Sequence, residues 1–391
     1  MPWKEESVMN QRREFVFRSF DPGVNFSQLC QEFGISRKTG YKWKERFLKS
    51  GDVGLSDESR RPLSCAHAIS ADIVCDIIRL KLDHPSWGPG KIRDLLLTNY
   101  SENELPHLST VKRILDRVGL VKRRKKRLQR PPSVIKTRIE VNSPNDLWTV
   151  DFKGWWLTLL GQRCEPLTVR DEYSRYILAI QAMETTVTDK VKEAFVRLFE
   201  VYGLPKAIRS DNGSPFAAIQ AAAGLSQLSA WWVALGIQLD RIEPGKPYQN
   251  GSHERMHRDM RAELQSDRKR DLKTQQKAFD LWRHEFNHIR PHEALQMKKP
   301  ASIYQKSKIE YKGTPDRIIY PYPYMPRKVN KNGHISYNNK KYHITRSLRE
   351  WQVGLKPISS ARSEVWFDNI LLGEIDEQAG IFIRRSCGSS N

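Results

Sequence analysis

The spacing of apolar positions changes several times along the chain, and the changes divide it. Over residues 10–50 the spacing is helical. "NFSQLCQEFGISRKTGYKWKERF" carries two sets, Leu29/Phe33 and Tyr41/Phe47, separated by Gly34 and Ile35. Ser36 stands where it can cap the helix that follows. Three short helices, a glycine turn and a basic last helix predict a helix-turn-helix over residues 1–55, with a plain small helical bundle as the alternative. A stretch rich in polar and breaker residues, "SGDVGLSDESRRPLSCAH", precedes a second helical set over 68–121. Ile73, Ile77 and Leu80, then "HPSWGPGKIRDLLL" and "LSTVKRILDRVGL" (with Ser109 as its cap), mark three more helices, an all-α module of similar type.

From about 141 the period shortens. "LWTVDFKGWWLTL", "CEPLTVRDEYSRYILAIQAM" and "KAIRSD" are rich in Val, Ile, Trp and Tyr and predict strands. The helical stretch "TDKVKEAFVRLFEVYG" (188–203) precedes the last of these. Strands followed by strand–helix–strand alternation predict an α/β domain with a mixed sheet over 141–305, ending in two long helices. Beyond 306, short runs such as "HISYNNKKYHIT" and "SEVWFDNILLGEI" predict a small C-terminal β-barrel or sandwich over 306–391. Its basic residues fit a DNA or partner contact, and a packing role fits equally.

Charge then indicates the partner. The 391 residues hold 66 Lys and Arg against 45 Asp and Glu, a formal net charge of +21. A polyanion partner, nucleic acid first, accounts for such an excess, because each neutralised phosphate releases a condensed counterion. Arg37, Lys38, Thr39 and Lys42, at the N-terminal end of the third helix, are the residues offered to a major groove. "KRRKKRLQRPP" opens a linker over 122–140. There Lys122, Arg123, Arg124, Lys125, Lys126 and Arg127 suit phosphate contacts that follow backbone charge without reading bases. No apolar run approaches the ~18 residues of a spanning helix, and the charged opening does not resemble a signal peptide, so no membrane partner is expected. The five cysteines are scattered without a CxxC pair, which argues against a disulfide framework or zinc site and fits a reducing compartment.

Three acids stand out by context. Asp151 lies inside an apolar strand, where a charge is costly unless it is paired or holds a metal. Asp211 ends a strand in "IRSDNGSPF", and Glu254 falls near the start of a helix for which Asn250 is the expected N-cap. Three carboxylates around a phosphodiester suit phosphoryl transfer with two Mg²⁺ ions ~4 Å apart. Arg261 lies seven residues after Glu254, on the same helical face, with His257 and Arg258 between them. A cation there suits a grip on phosphate. Singly, each acid is more readily a turn or surface residue, and the helix a solvated, salt-bridged one.

In combination these segments resemble the integrase core of the DDE transposases, the superfamily of bacterial insertion-sequence transposases and retroviral integrases. "LWTVDFKGWW" and "IRSDNGSPF" are similar to the segments around that family's two Asp residues, and "SRYILAI" to its second strand. "PGKPYQNGSHERMHRDMR" is similar to the helix bearing its Glu and a basic residue, here Arg261. "FNHIRPHEALQMKKPASIY" resembles the closing segment of the domain. The N-terminal modules, with "WGPGKI", are similar to the end-binding region of insertion-sequence transposases. The resemblance implies a ribonuclease-H-like catalytic core. It also implies Asp151, Asp211 and Glu254 as the catalytic and metal-binding triad for two Mg²⁺ ions per site, with Mn²⁺ able to substitute. The implied activity is that of a DNA transposase, which binds the terminal repeats of an insertion sequence, cleaves a strand by hydrolysis and joins the 3′-hydroxyl end to target DNA. A homo-oligomer holding both ends, in the bacterial cytoplasm at the nucleoid, goes with it. Two other readings keep parts of this picture: a catalytically inactive DNA-binding regulator derived from a transposase, and a metal-dependent nuclease that does not join strands. An added segment, "AAIQAAAGLSQLSAWWVALGI" (217–237), is open to two uses, a subunit contact or a cover over the site. The His/Cys zinc module of retroviral integrases has no counterpart here, which favours the insertion-sequence branch.

Overall fold

The computed structural model describes residues 7–58, 69–121, 139–243, 246–265, 268–315 and 317–385, so the basic run Lys122, Arg123, Arg124, Lys125, Lys126, Arg127 lies outside the described residues. Backbone packing separates two units, residues 1–68 and 69–391. In the first, α1 (Val8–Arg18), α2 (Phe26–Glu32) and α3 (Arg37–Ser50) each open on a side-chain cap. Ser7, Asn25 and Ser36 accept bonds from first-turn amides that have no partner inside the helix. The core is Phe15, Val16, Leu29, Cys30, Trp43 and Leu55. Gly40 sets how closely α3 approaches it, since a Cβ there would fall 2.7 Å from Cys30 Sγ and 2.9 Å from the Phe15 ring. The buried stripe of α3 is therefore Gly40 and Trp43, with Phe47 half-buried beside them. Tyr41, expected on that stripe, is 54% exposed and stacks flat on Phe26 instead.

The second unit begins with α4 (Ala71–Asp83), α5 (Pro89–Leu96) and α6 (Leu108–Arg117) around Ile77, Trp87, Ile92, Val111 and Leu115. The cap of α6 is His107, whose Nδ1 accepts from the Ser109 amide, rather than Ser109 itself. A six-stranded mixed sheet follows: β1 (Leu147–Phe152), β2 (Trp156–Leu157), β3 (Arg163–Asp171), β4 (Ile177–Met183), β5 (Ala207–Ser210) and β6 (Gln238–Arg241). β3 pairs antiparallel with β1, β2 and β4, whereas β1, β5 and β6 run parallel. Between β4 and β5, α7 (Thr188–Tyr202) buries Val191, Ala194, Phe195, Leu198 and Phe199, spaced three and four apart, on the face formed by Trp148, Val150, Leu167, Val169 and Ile208. The opposite face is covered by α9 (Gly251–Met260) and α10 (Leu272–His288), through Met256, Met260, Phe279, Trp282 and Phe286. Arg290, 1% exposed, locks the α4–α6 module to this side: it pairs with Glu263 at 2.6 Å and lies over the Trp87 ring.

The 217–237 segment is internal to the fold. Its helix α8 (Gln227–Ala234) is buried nearly all round, as its lack of a polar face requires. Leu228, Trp231 and Trp232 pack into the core of the mixed sheet, while Ala230 and Val233 pack into the core of the C-terminal strands. The segment thus bridges the two cores.

The C-terminal strands do not form the expected closed barrel. β7 (Met325–Lys328), β10 (Gln352–Pro357), β11 (Arg362–Phe367), β12 (Ile370–Asp376) and β13 (Ile381–Arg384) make an open antiparallel sheet in the order β13-β12-β11-β10-β7. The hairpin β8 (His334–Tyr337) and β9 (Lys340–His343) is separate from it. Closing a barrel needs edge strands long and staggered enough to meet, and here both edges are four residues long. The hairpin closes the core instead, packing Ile335, Tyr337 and Tyr342 against Val353, Leu355, Val365 and Phe367.

Candidate active site

Alternation along the strands puts the acids on one face. Trp148, Val150, Leu167, Val169 and Ile208 point to α7, so Thr149 and Asp151 of β1, Thr168 and Arg170 of β3, and Arg209 of β5 point the other way, towards α9. Asp151 lies directly opposite Thr168, and Thr149 is flanked by Arg170 and Arg209. Asp211, one residue beyond β5, continues the parity of Arg209. Its Oδ1 accepts from the Gly213 amide at 3.1 Å, so the Asn-Gly segment is a side-chain-closed turn that holds the carboxylate at the strand end. Asn212 does separate work, donating to the Ile242 carbonyl at 2.7 Å and tying this turn to the end of β6.

Glu254 reaches the same region from the first turn of α9, whose buried side is His253, Met256, His257 and Met260. Polar groups pin that helix to the sheet. Arg170 donates to the Ser252 carbonyl at 2.8 Å and to the Ser252 hydroxyl at 2.7 Å. His253 sits 2.7 Å from the hydroxyls of both Thr149 and Thr168. Arg209 grips Asp240 of β6 and donates to the Gln249 carbonyl at 3.0 Å, just ahead of the helix. Asn250 occupies the N-cap position without making a capping bond, contrary to expectation, so the sheet's arginines hold this helix start. None of Thr149, Thr168, Arg170 and Arg209 was singled out from sequence. Their signal is a polar residue at every second position of three otherwise buried strands.

The electrostatics are those of crowded carboxylates. Asp151 is pushed up to about 7, first by burial and then by Asp211, with Glu254 adding to it and the Phe152 amide acting in the opposite direction. His257 Nδ1 stands 3.7 Å from Asp151 Oδ2, and its imidazole is held down to about 3 by burial, then by Lys153 and Arg170. Lys153 follows Asp151 on the same strand parity, and burial and nearby Arg261 lower its pKa. The all-oxygen set of Asp151, Asp211 and Glu254 fits hard divalent cations, and the unmatched negative charge that raises Asp151 is what such ions would offset. Among the described residues no three His, Cys, Asp or Glu side chains are already drawn around one point as ligands.

Of the other expected contact residues, Arg258 is exposed on α9, and Arg261 opens a π-helical turn, Arg261–Gln265, rather than extending the regular helix. In the first unit Arg37, Lys38 and Lys42 are exposed at the start of α3. Thr39 is half-buried, with its hydroxyl 2.9 Å from Ser36 Oγ and its amide on the same oxygen, so it belongs to the helix cap.

A mixed sheet with an antiparallel first half and a parallel second half, and acids at β1, at the end of β5 and on the helix after β6, defines a ribonuclease-H-like core. Two family models, each described as an integrase core domain, match residues 141–247 and 235–300. A helix-turn-helix domain model matches 11–62 and a homeodomain-like domain model matches 39–115. The chain thus carries an integrase core, with helix-turn-helix domains ahead of it. It is 28% identical over 263 residues to the insertion element IS476 uncharacterized 39.2 kDa protein of Xanthomonas euvesicatoria, covering 64% of this chain and 70% of that protein. It is 29% identical over 198 residues to the insertion element IS407 uncharacterized 31.7 kDa protein of Burkholderia multivorans, covering 50% of this chain and 68% of that one. Among solved structures, the HTLV-2 integrase catalytic core domain in complex with magnesium aligns at 16% identity and a TM-score of 0.33, over 42% of this chain and 98% of that one. Integrase cores of this group are polynucleotidyl transferases that generally use divalent metal ions. Among the described residues no helix is long and apolar enough to cross a membrane.

Proposed function

We propose that this protein is the transposase of an insertion element: it binds the element's terminal repeats, cleaves a DNA strand by hydrolysis and joins the resulting 3′-hydroxyl end to target DNA. The observation that carries the reading is the convergence of Asp151, Asp211 and Glu254, from two strands and a helix, close enough that the second and third raise the pKa of the first. Asp151, Asp211 and Glu254 would hold two Mg²⁺ or Mn²⁺ ions, which when bound activate the attacking oxygen and stabilise the leaving one. The chain's own residues do the rest. Arg258 and Arg261, with Lys153 beside Asp151, orient the phosphodiester. Arg37, Lys38 and Lys42 of α3 enter the groove, and Lys122 to Arg127 follow the backbone. The division into modules at 1–55, 68–121, 122–140, 141–305 and 306–391 is part of this proposal, as is a homo-oligomer that holds both DNA ends at the bacterial nucleoid.

The test incubates the full chain with its element's terminal DNA, a target plasmid and Mg²⁺ or Mn²⁺. Joined products are expected from the wild type and are lost in Asp151→Asn, Asp211→Asn and Glu254→Gln. Full joining by any of these variants, or in EDTA, overturns the assignment. Cleavage without joining would support the nuclease reading, and terminal-repeat binding without cleavage the regulator.

A further inference from the structure

The loop ahead of α5 and the turn that ends α9 meet at one carboxylate. Lys81 Nζ donates to the Pro85 carbonyl at 2.7 Å and to the Trp87 carbonyl at 2.8 Å, so the shape of this loop is set from inside its own module. His84 lies flat on Trp87, with 3.9 Å between ring centroids, and its Nδ1 is 3.3 Å from Glu285 Oε1 of α10. Between them Ser86 Oγ donates to Glu263 Oε1. The other oxygen of Glu263 accepts from Trp282 Nε1 at 2.5 Å and from Arg290 Nη2 at 2.6 Å. One side chain therefore gathers donors from the α4–α6 module, from α10 and from the residues just past α10. Charge-assisted bonds of the Arg290 kind are roughly twice as strong as neutral ones.

Glu263 stands in the middle of the π-helical turn Arg261–Gln265. Such turns are rare and occur mostly at functional sites. Met260 and Leu264 anchor the chain on either side of it, buried with Phe279 and Trp282. Residues two apart on a helical turn do not share a face, so as Glu263 turns to the module, Arg261 turns away from it. Arg261 is exposed, and it lies close enough to Lys153, two residues past Asp151, to lower that amine's pKa. The turn thus has its acid bonded to the module and its cation beside the strand of Asp151. We propose that Glu263 is a positioning residue for the candidate active site: the bond from Ser86 fixes the π turn, and with it the direction of Arg261, so that the reaction runs at full rate only with the α4–α6 module seated on the core. The inference rests on the reading of Arg261 as a phosphate contact and adds the group that aims it.

The test uses the full chain. Ser86→Ala removes the module's bond and leaves Trp282 and Arg290 on Glu263, and Ser86 is exposed, so the fold is kept. Hydrogen exchange by mass spectrometry should show amides of peptides covering residues 258–264 exchanging about tenfold faster, the factor for losing a hydrogen bond to a charged group. Peptides covering β5 should not change. Strand joining at saturating terminal DNA should fall by a similar factor with the Kd for that DNA unchanged, whereas a hydroxyl that merely steadied a DNA-binding module would raise the Kd. Ser86→Thr, which keeps the hydroxyl, should restore both readings. Unchanged exchange over 258–264 in Ser86→Ala overturns the proposal. So does joining within twofold of the wild type, or a loss of joining matched by an equal rise in Kd. A wild type that joins no DNA, with the turn still loosened in Ser86→Ala, would instead count against the proposed function.

Discussion

Arg209 is a buried arginine whose loss should open the parallel half of the sheet. Its side chain and that of Asp240 are 7% and 5% exposed, and they pair at 2.7 Å across the parallel strands β5 and β6. Arg209→Met keeps the length of the side chain and removes the charge. Asp240 is then left buried without its cation, and the Gln249 carbonyl loses its donor. Breaking a buried pair from one side costs about 3–5 kcal/mol, which corresponds to roughly two to four orders of magnitude in an opening equilibrium. Hydrogen exchange by mass spectrometry on peptides covering β5 and β6 reads this directly, as faster amide exchange in those strands with α1–α3 unchanged. The double variant Arg209→Met/Asp240→Leu separates charge from packing. Replacing both partners with apolar groups should recover most of the lost protection. Strand transfer should remain impaired in it, because the tether from β5 to the residue before Asn250 is gone and Glu254 is no longer held in register with Asp211. Exchange in Arg209→Met within threefold of the wild type, or a double variant as unprotected as the single, would refute the argument.

Asp151→Asn should change stability with a definite sign. The folded carboxyl, at about 7, lies above its ordinary 3.8, so its contribution is fully present below that ordinary value and is lost as pH rises through the folded one. In EDTA the variant should therefore gain on the wild type by a few kcal/mol between pH 4 and pH 8, at ~1.4 kcal/mol per pH unit across the window. A urea-midpoint difference that stays flat with pH contradicts this. Arg37→Ala with Lys42→Ala should weaken terminal-DNA binding and lower the steepness of its salt dependence by about 1–2 in log–log slope. Thr39→Val should instead show its effect in the thermal stability of the helical unit, and an unchanged salt slope in the first variant would remove α3 from the interface. Gly40→Ala places a methyl against Cys30 and Phe15 and should cost about 1–3 kcal/mol, read as a lowered melting transition of the α1–α3 unit. A neutral result would mean that the helices are not packed at that distance.

What was legible in the sequence is what local pattern controls. The helix over 188–203 follows from apolar residues three and four apart, and the Ser36 cap from a side chain one residue ahead of the helix it serves. Asp151 and Asp211 drew notice because a charge is conspicuous at the end or in the middle of an apolar strand. The supports around them were hidden for the opposite reason. Thr149, Thr168 and Ser252 are small polar residues whose role depends on which distant group arrives opposite, and register decides that. Arg170 and Arg209 lie on strands that are covered on both faces, so what they hold depends on the helix and strand brought opposite them. Tyr41 was assigned inward by its aromatic character, whereas Gly40, with no side chain to count as apolar, marks the buried stripe. The C-terminal runs are short strands as expected, but whether short strands close into a barrel depends on edge length and on what caps the core, neither of which periodicity encodes.

The helix α8 changes what can be removed from this protein. A cut at residue 305, where the segment resembling the integrase core ends, would leave Ala222, Leu225, Ala230 and Val233 facing water, since their packing partners lie beyond residue 325. The same helix holds Leu228, Trp231 and Trp232 in the core beneath β1 and β5. The C-terminal sheet is therefore less an appendage than a cover on the inner core, joined to it by a helix whose tryptophans pack against Phe195 and Phe199 of α7 and against Phe216 just after Asp211.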